Sequence, residues 1–271
     1  MDFSKILGKS LVKYYKSPDH PFKLRIFFAF NRFLDLFKYR ITVPYYNTLW
    51  ISLSLSDYID RVIFQKGEYE AEVYNSLIPY SKQNEVLWDI GSHMGSFALK
   101  AVDNDAVNSI YCFEPNPDTF KILTRNRDLN SDKKKLHIYN FGLGDKKVSA
   151  PYKFANNGNS GGGQFVKTDD GDFSKLPIDT IDNLVFNDHL PPPTLIKIDV
   201  EGFELSVFNG AKKTFEQFPP KAIIFESETD NGALKNAEIA AFFKKYDYRI
   251  SLVECEDEQG GPYNNFLAIK N

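Results

Sequence analysis

From residue 85 onward, short apolar runs alternate with stretches of helical period, and this alternation leaves the chain few folds to choose from. Val86-Leu87-Trp88-Asp89-Ile90 is a buried strand that ends at Gly91, and Ser96 to Val102 begins a helix. Ser109 to Phe113, Asp118 to Leu129 and Leu136 to Phe141 then repeat the strand–helix–strand rhythm. Leu195 to Val200 and Lys221 to Phe225 are further strands, separated by a helix over Glu204 to Phe218. A helix over Ala233 to Lys245 leads to two last strands, Tyr248 to Val253 and Asn265 to Ile269, joined as a hairpin around Gly260-Gly261-Pro262. Alternation of this kind is the mark of stacked βαβ units, so the expected fold is α/β, doubly wound on a mostly parallel sheet.

The first 66 residues have another character. Leu7, Leu11, Tyr14 and Tyr15 recur at helical spacing, with lysines at 5, 9, 13 and 16 between them. Ser17-Pro18 interrupts the pattern, Ile26 to Phe37 resumes it, and Pro44 ends it; Ile51 to Leu55 alternates as a short strand does. The Lys66-Gly67 break opens a helix over Tyr69 to Pro79. Between residues 148 and 167, Asn-Asn-Gly and Gly-Gly-Gly predict a hairpin-like excursion with a mobile tip. Charge divides in the same way. Of 33 Lys/Arg and 36 Asp/Glu in the chain, residues 1–40 hold nine basic and three acidic, leaving an acidic body. Two readings stay open for residues 1–40: peripheral contact with an anionic membrane, or a helical cap packed on the sheet or on another copy. Cys112 and Cys255 make neither a disulfide framework nor a zinc site, and no secretory signal pattern precedes the body. Ile26 to Phe37, broken by Asn31, Arg32 and Asp35, is too short and polar to span a bilayer. The expected location is cytoplasmic, with membrane contact only at the periphery.

Asp89-Ile90-Gly91-Ser92-His93-Met94-Gly95-Ser96 carries the strongest chemical signal. Two glycines let the backbone turn sharply and approach a ligand, and the helix start offers free N–H groups to an anionic group. Glu114 follows Gly91 by twenty-three residues, at the end of the next strand, where a carboxylate meets the ribose of a nucleoside. The spacing is G-x-x-x-G, not the G-x-G-x-x-G that a dinucleotide pyrophosphate requires. One acid near the loop and another at the ribose suit S-adenosylmethionine, which has an amino-acid head and no phosphate. Asp199, Glu201 and Glu226 sit at the ends of later strands, at the rim where open parallel sheets bind ligands. Glu204 and Glu228 read more simply as caps or solvated acids.

These segments resemble the FkbM family of S-adenosylmethionine-dependent methyltransferases. The likeness runs from about Gly67 to Glu228, through Gly67-Glu68-Tyr69-Glu70, the Asp89 loop, Phe113-Glu114-Pro115-Asn116-Pro117, Gly142-Leu143-Gly144-Asp145 and Ile181-Asp182. It continues through Lys197-Ile198-Asp199-Val200-Glu201-Gly202-Phe203-Glu204, its most specific stretch, then Asn209-Gly210-Ala211 and Phe225-Glu226. The resemblance implies a class I methyltransferase domain over 67–271, built on a seven-stranded sheet with the last strand antiparallel, after an N-terminal segment over 1–66. It also implies O-methylation, often of a sugar hydroxyl in a polysaccharide, glycolipid or secondary metabolite. By that resemblance Asp89, Gly91 and Gly95 line the methionine end of the cofactor, Glu114 takes the ribose, and Gly142-Leu143 lies near the adenine. His93, where the family often has Asn, and Pro115 belong to the same cofactor set; Asp199, Glu201 and Glu226 face the acceptor.

Asp199 or Glu226 is the expected general base for a hydroxyl acceptor, and Mg²⁺ held by the same acids is a second way to acidify it. His189, in the loop before Pro191-Pro192-Pro193, is a rival base. Three other functions compete. An NAD(P)-linked enzyme lacks its third glycine here, and a nucleic-acid methyltransferase meets an acidic body with no Asn-Pro-Pro-Tyr-like motif. A non-catalytic nucleoside-binding or membrane-surface module leaves the set of strand-end carboxylates without a purpose.

Overall fold

The computed structural model describes residues 3–131, 134–155, 160–166, 173–255 and 263–271. The Asn-Asn-Gly tip at 156–158 and the Gly260-Gly261-Pro262 turn, both singled out above, lie outside these. The chain opens with helices α1 (Phe3–Tyr15) and α2 (Lys23–Leu36) and an antiparallel hairpin of β1 (Ile41–Tyr45) and β2 (Leu49–Leu53). Helix α3 (Tyr58–Lys66) follows, where no element was expected. Its signals are ordinary: Asp57 accepts the N–H groups of Ile59 and Asp60 as a cap, and Gly67 stops the helix at φ +94°.

The expected sheet is present. After α4 (Ala71–Leu77) come β3 (Glu85–Ile90), α5 (Ser96–Val102), β4 (Val107–Phe113), α6 (Pro117–Leu129) and β5 (Leu136–Tyr139). A smaller sheet interrupts the series: β6 (Gly142–Leu143), β7 (Val148–Lys153), β8 (Gln164–Phe165) and β9 (Ser174–Asp179), followed by α7 (Ile181–Phe186). The main sheet resumes with β10 (Leu195–Ile198), α8 (Glu204–Asn209), α9 (Lys212–Gln217) and β11 (Ala222–Asp230). It ends with β12 (Ala233–Leu234), α10 (Ala237–Lys245), β13 (Tyr248–Val253) and β14 (Tyr263–Lys270). The main path runs β13-β14-β11-β10-β3-β4-β5, with β12 added on β11. Every contact from β11 to β5 is parallel, and β14 is antiparallel to both its neighbours.

Three expectations change in detail. The helix over Glu204 to Phe218 is two helices, because Gly210 comes against another backbone: a Cβ there would stand 1.8 Å from the Gly144 carbonyl oxygen. The helix over Ala233 to Lys245 starts only at Ala237, capped by Asn236, since residues 233–234 pair with β11. Strand β9 and helix α7, which no periodicity announced, stand between the excursion and β10.

Strand alternation divides the core in two. Leu87, Ile110, Cys112, Leu195 and Ile224 face one layer with α5 and the N-terminal elements. Trp88, Ile90, Phe113, Ile196, Ile198 and Phe225 face the other, with Phe208, Phe215 and Phe243. The first layer also takes in Leu11, Phe27, Leu34, Ile51 and Phe64, so the N-terminal segment and the sheet share one core.

Candidate functional site

The same alternation sets the charges of the site. Asp89 and Lys197 are register partners on the parallel pair β3–β10 and point to the same side of the sheet. Both are buried. Lys197 Nζ lies 3.0 Å from the Asp199 carboxylate, one strand step further along its own chain. Burial opposes the charge on Lys197, but Asp199, Glu70 and Asp89 outweigh it and hold its pKa above the ordinary lysine value. Asp89 is fully enclosed, with the Ala98 backbone N–H facing its carboxylate. Burial raises its pKa to about 6, and Lys197 works against that rise.

The turn after β3 is tight. Gly91, His93 and Gly95 all have positive φ. A Cβ on Gly91 would stand 1.8 Å from the Asp199 carbonyl oxygen, so only glycine lets these two backbones close. The turn curls over the end of β4. Gly91 and Ser92 donate their N–H groups to the Phe113 carbonyl, His93 to the Glu114 carboxylate at 2.9 Å, and Gly95 to the Ser92 carbonyl. Those four N–H groups are therefore engaged within the protein, and the free donors expected of this loop do not come from them. Glu114 takes a second N–H from Asn116 at 2.8 Å. Its carboxylate is thus clamped at the end of β4, and burial raises its pKa to about 7 against those two hydrogen bonds.

One cavity gathers most of the expected residues. Gly91, His93, Glu114, Pro115, Gly142, Leu143, Asp199, Glu201 and Glu226 all line it. Asp89 and Gly95 do not: Asp89 lies under the turn, and Gly95 starts α5, where a Cβ would strike Leu123. Glu201 sits on a left-handed turn with Gly202 and stays exposed. Desolvation, then Asp199 and Glu204, raise its pKa to about 7, and its access to water tempers that rise. Glu204 is buried and accepts the Gly202 N–H, bracing the turn before α8 without capping the helix. Asp182 likewise serves structure, accepting from Lys213 and Thr214 at the start of α9. His189 is exposed and lines no part of the cavity.

Several lining residues were not foreseen. Tyr58 and Ile59 come from α3, Tyr69 and Glu70 from the turn before α4, and Tyr152, Gln164 and Phe165 from the smaller sheet. The pattern Asp57, Ile59, Ile63, Gly67 would have revealed α3, and with it the first two. Ser160 links both additions: its N–H reaches the Asp57 carboxylate at 2.8 Å, and its hydroxyl lies 2.7 Å from His93 Nε2. Burial lowers the His93 pKa to about 4, so this ring is neutral at neutral pH. Among the described residues no group of three His, Cys, Asp or Glu side chains is placed to hold a metal ion.

A cavity at the carboxyl ends of parallel strands, with a clamped acid one strand from a glycine turn, has the form of a nucleoside site. The family model for the methyltransferase FkbM domain matches residues 89–250. The chain belongs to this family. The seven-strand path with β14 reversed is the class I methyltransferase order that such membership implies. Among curated proteins, the hexuronic acid methyltransferase AglP of Haloferax volcanii is 33% identical over 143 residues, 52% of this chain and 56% of its own. The chain thus spans about half the length of the curated relative it matches. Of solved structures, methyltransferase FkbM from Methylobacillus flagellatus aligns at TM-score 0.49 and 18% identity, covering 78% of this chain and 52% of its own. M. jannaschii TYW2, solved in complex with AdoMet, aligns at TM-score 0.46 and 12% identity over 84% of each chain.

Proposed function

We propose that this FkbM-family chain is an S-adenosylmethionine-dependent O-methyltransferase whose acceptor is a sugar hydroxyl. The observation that carries the reading is the pairing, in one cavity, of clamped Glu114 with Asp199, across the turn that only Gly91 permits. Glu114 would accept from the ribose hydroxyls, with its orientation already fixed by two backbone donors. Gly142 and Leu143 would border the adenine, and Gly91 and His93 the amino-acid end. When bound, S-adenosylmethionine supplies a methyl group on a sulfonium that leaves as a neutral thioether. Asp199, steadied by Lys197, would take the acceptor's hydroxyl proton as the new carbon–oxygen bond forms; Glu226, on the neighbouring strand, is the second candidate base. A Mg²⁺ requirement is decided by chelator: turnover unchanged in EDTA leaves a carboxylate base acting alone.

A sugar acceptor is supported by AglP, whose name gives a hexuronic acid as its substrate. The charge of this cavity argues for a neutral sugar in this chain. Its described lining holds Glu70, Glu114, Asp199, Glu201 and Glu226 against Lys197, which Asp199 already engages. Among the described lining residues, a uronate carboxylate would find no free cation to meet it.

Calorimetric titration with S-adenosylmethionine and S-adenosylhomocysteine, with NAD as control, tests the cofactor. Saturable binding of the first two, weakened in Glu114→Ala and absent for NAD, is expected. No binding by the folded protein would end the methyltransferase reading. Transfer of labelled methyl to neutral glycosides in preference to uronates then tests the acceptor class.

A further inference from the structure

Helix α2 exposes more apolar surface than it buries. It turns only Lys23, Phe27 and Leu34 inward, and Phe27 closes against Phe64 of α3 and Tyr15 of α1 at ring distances of 5.5 and 5.1 Å. Nine of the fifteen exposed large hydrophobic side chains among the described residues fall between Phe3 and Phe37. Ile26, Phe30, Phe33 and Phe37 recur at intervals of four, three and four, which aligns them on one side of the helix. Phe33 is 56% and Phe37 64% exposed, and the Phe30–Phe33 and Phe33–Phe37 ring centroids lie 6.3 and 5.1 Å apart. Contiguous apolar surface of this kind is rare on a protein that works alone in water. All of it precedes the residues matched by the family model, so it is a property of this chain and not of the FkbM domain.

Charge identifies what covers it. Arg25 and Arg32, seven residues apart, form an exposed row about a third of a turn around the helix from the aromatic stripe, and Lys38 follows its end. A second copy on this face would set three exposed cations, Arg25, Arg32 and Lys38, against one exposed acid, Asp35, from each copy, leaving charge unpaired. An anionic lipid surface instead takes aromatics at its interface and arginines at its phosphates. The body of the chain, with 24 basic and 33 acidic residues after the first 40, is repelled by the same surface and left facing water. No helix among the described residues is long and apolar enough to cross a membrane, so contact through α2 is lateral. We infer that α2 is an interfacial anchor that lays the chain on an anionic bilayer, stripe inward and arginines at the head groups. Helix α3, which meets α2 through Phe64, carries Tyr58 and Ile59 into the cavity wall, so the docked face is one helix away from the site.

The inference stands apart from the methyl-transfer reading, and its test reads binding alone. The full chain is co-sedimented with vesicles of phosphatidylcholine mixed with phosphatidylglycerol, and with phosphatidylcholine alone. Two double variants run beside it: Phe33→Ser with Phe37→Ser, and Arg25→Glu with Arg32→Glu. All four positions are exposed, so folding is expected to persist, checked by circular dichroism and by an unchanged thermal melting temperature. The expected result is binding to the anionic vesicles that drops about tenfold or more on neutral vesicles and in each variant. Failure of the folded wild type to bind anionic vesicles, or equal binding by both variants, would overturn the anchor. So would a dimer in sedimentation equilibrium that the Phe33/Phe37 variant dissociates while vesicles bind neither protein.

Discussion

If Glu114 holds two ribose hydroxyls as proposed, its ionised, acceptor-only form does so best, and burial makes that charge costly. Its folded pKa is about 7, raised from the ordinary carboxylate value by desolvation. The sign follows for the ligand-free protein. The folded state holds the proton more tightly than the unfolded one, so stability falls as pH rises from the ordinary carboxylate range through about 7. Cofactor affinity runs the opposite way, because the binding form is the ionised one. Affinity for S-adenosylmethionine should rise about tenfold between pH 6 and pH 8, the change in ionised fraction for such a group. Glu114→Gln should bind weakly with that rise abolished, and calorimetry at both pH values checks it. A wild-type affinity flat across this range would remove Glu114 from the ribose. Asp199 makes a separate prediction. Asp199→Asn should lower turnover by about 10²-fold or more while cofactor affinity changes little, as loss of a general base requires. Lys197→Met should act on the fold instead. It leaves Asp199 and the enclosed Asp89 without their cation, at a cost of about 3 kcal/mol, read as a fall in the chemical-denaturation midpoint.

At the scale of elements, the site depends on one contact between two turns. The Gly91 turn and the backbone at Asp199 touch because neither side has a Cβ between them, and Gly91 also holds φ +78°. Gly91→Ala adds both a clash with backbone and an unfavourable conformation, with an expected loss of at least about 3 kcal/mol. Gly67→Ala is the informative comparison: φ is +94° there, but nothing stands within 4 Å of an added Cβ, so its loss should be clearly smaller. This difference explains what the sequence made legible. The strand, glycine turn and helix over 85–102 were readable because each step is local: an apolar run, two glycines, a helical period. Glu114 came with them, since it follows at a fixed distance along one βαβ unit. Asp199, Glu201 and Glu226 were legible as strand-end acids, but the walls that α3 and the smaller sheet add to the cavity were not. Strand β9 contains Pro177, which argues against a strand, and α7 is too short to show a period. The break between α8 and α9 arises from the approach of Gly144, a distant residue. Tyr58, Tyr152 and Phe165 reach the cavity through pairings and packing that local pattern does not encode.

For the whole molecule, the question is whether residues 1–66 and 67–271 are separate folding units. Sequence character divides them at Gly67, and the family match lies wholly within the second part. Packing joins them. Leu11, Phe27, Ile51, Leu53 and Phe64 share a core with Val73, Leu99, Leu123 and Leu195. Polar contacts cross the same seam. Asn126 of α6 accepts the Ser52 N–H at 2.8 Å and donates to the Met94 carbonyl at 2.9 Å, tying β2 to the turn that builds the site. Asn130 makes the equivalent pair of bonds with Trp50. Cutting the chain at Gly67 would expose the apolar face of this layer and strand two buried amides. The division is therefore proposed to be one of ancestry, not of folding. A 67–271 fragment is expected to aggregate, or to melt well below the full chain without a sharp transition. A fragment that stays monomeric and melts cooperatively near the full-length temperature would show two independent units. Even then its cavity would lack the wall formed by Tyr58 and Ile59, while Glu114, Gly91 and Asp199 would remain. Comparing cofactor affinity and acceptor choice between such a fragment and the full chain would show at which end of the site Tyr58 and Ile59 act.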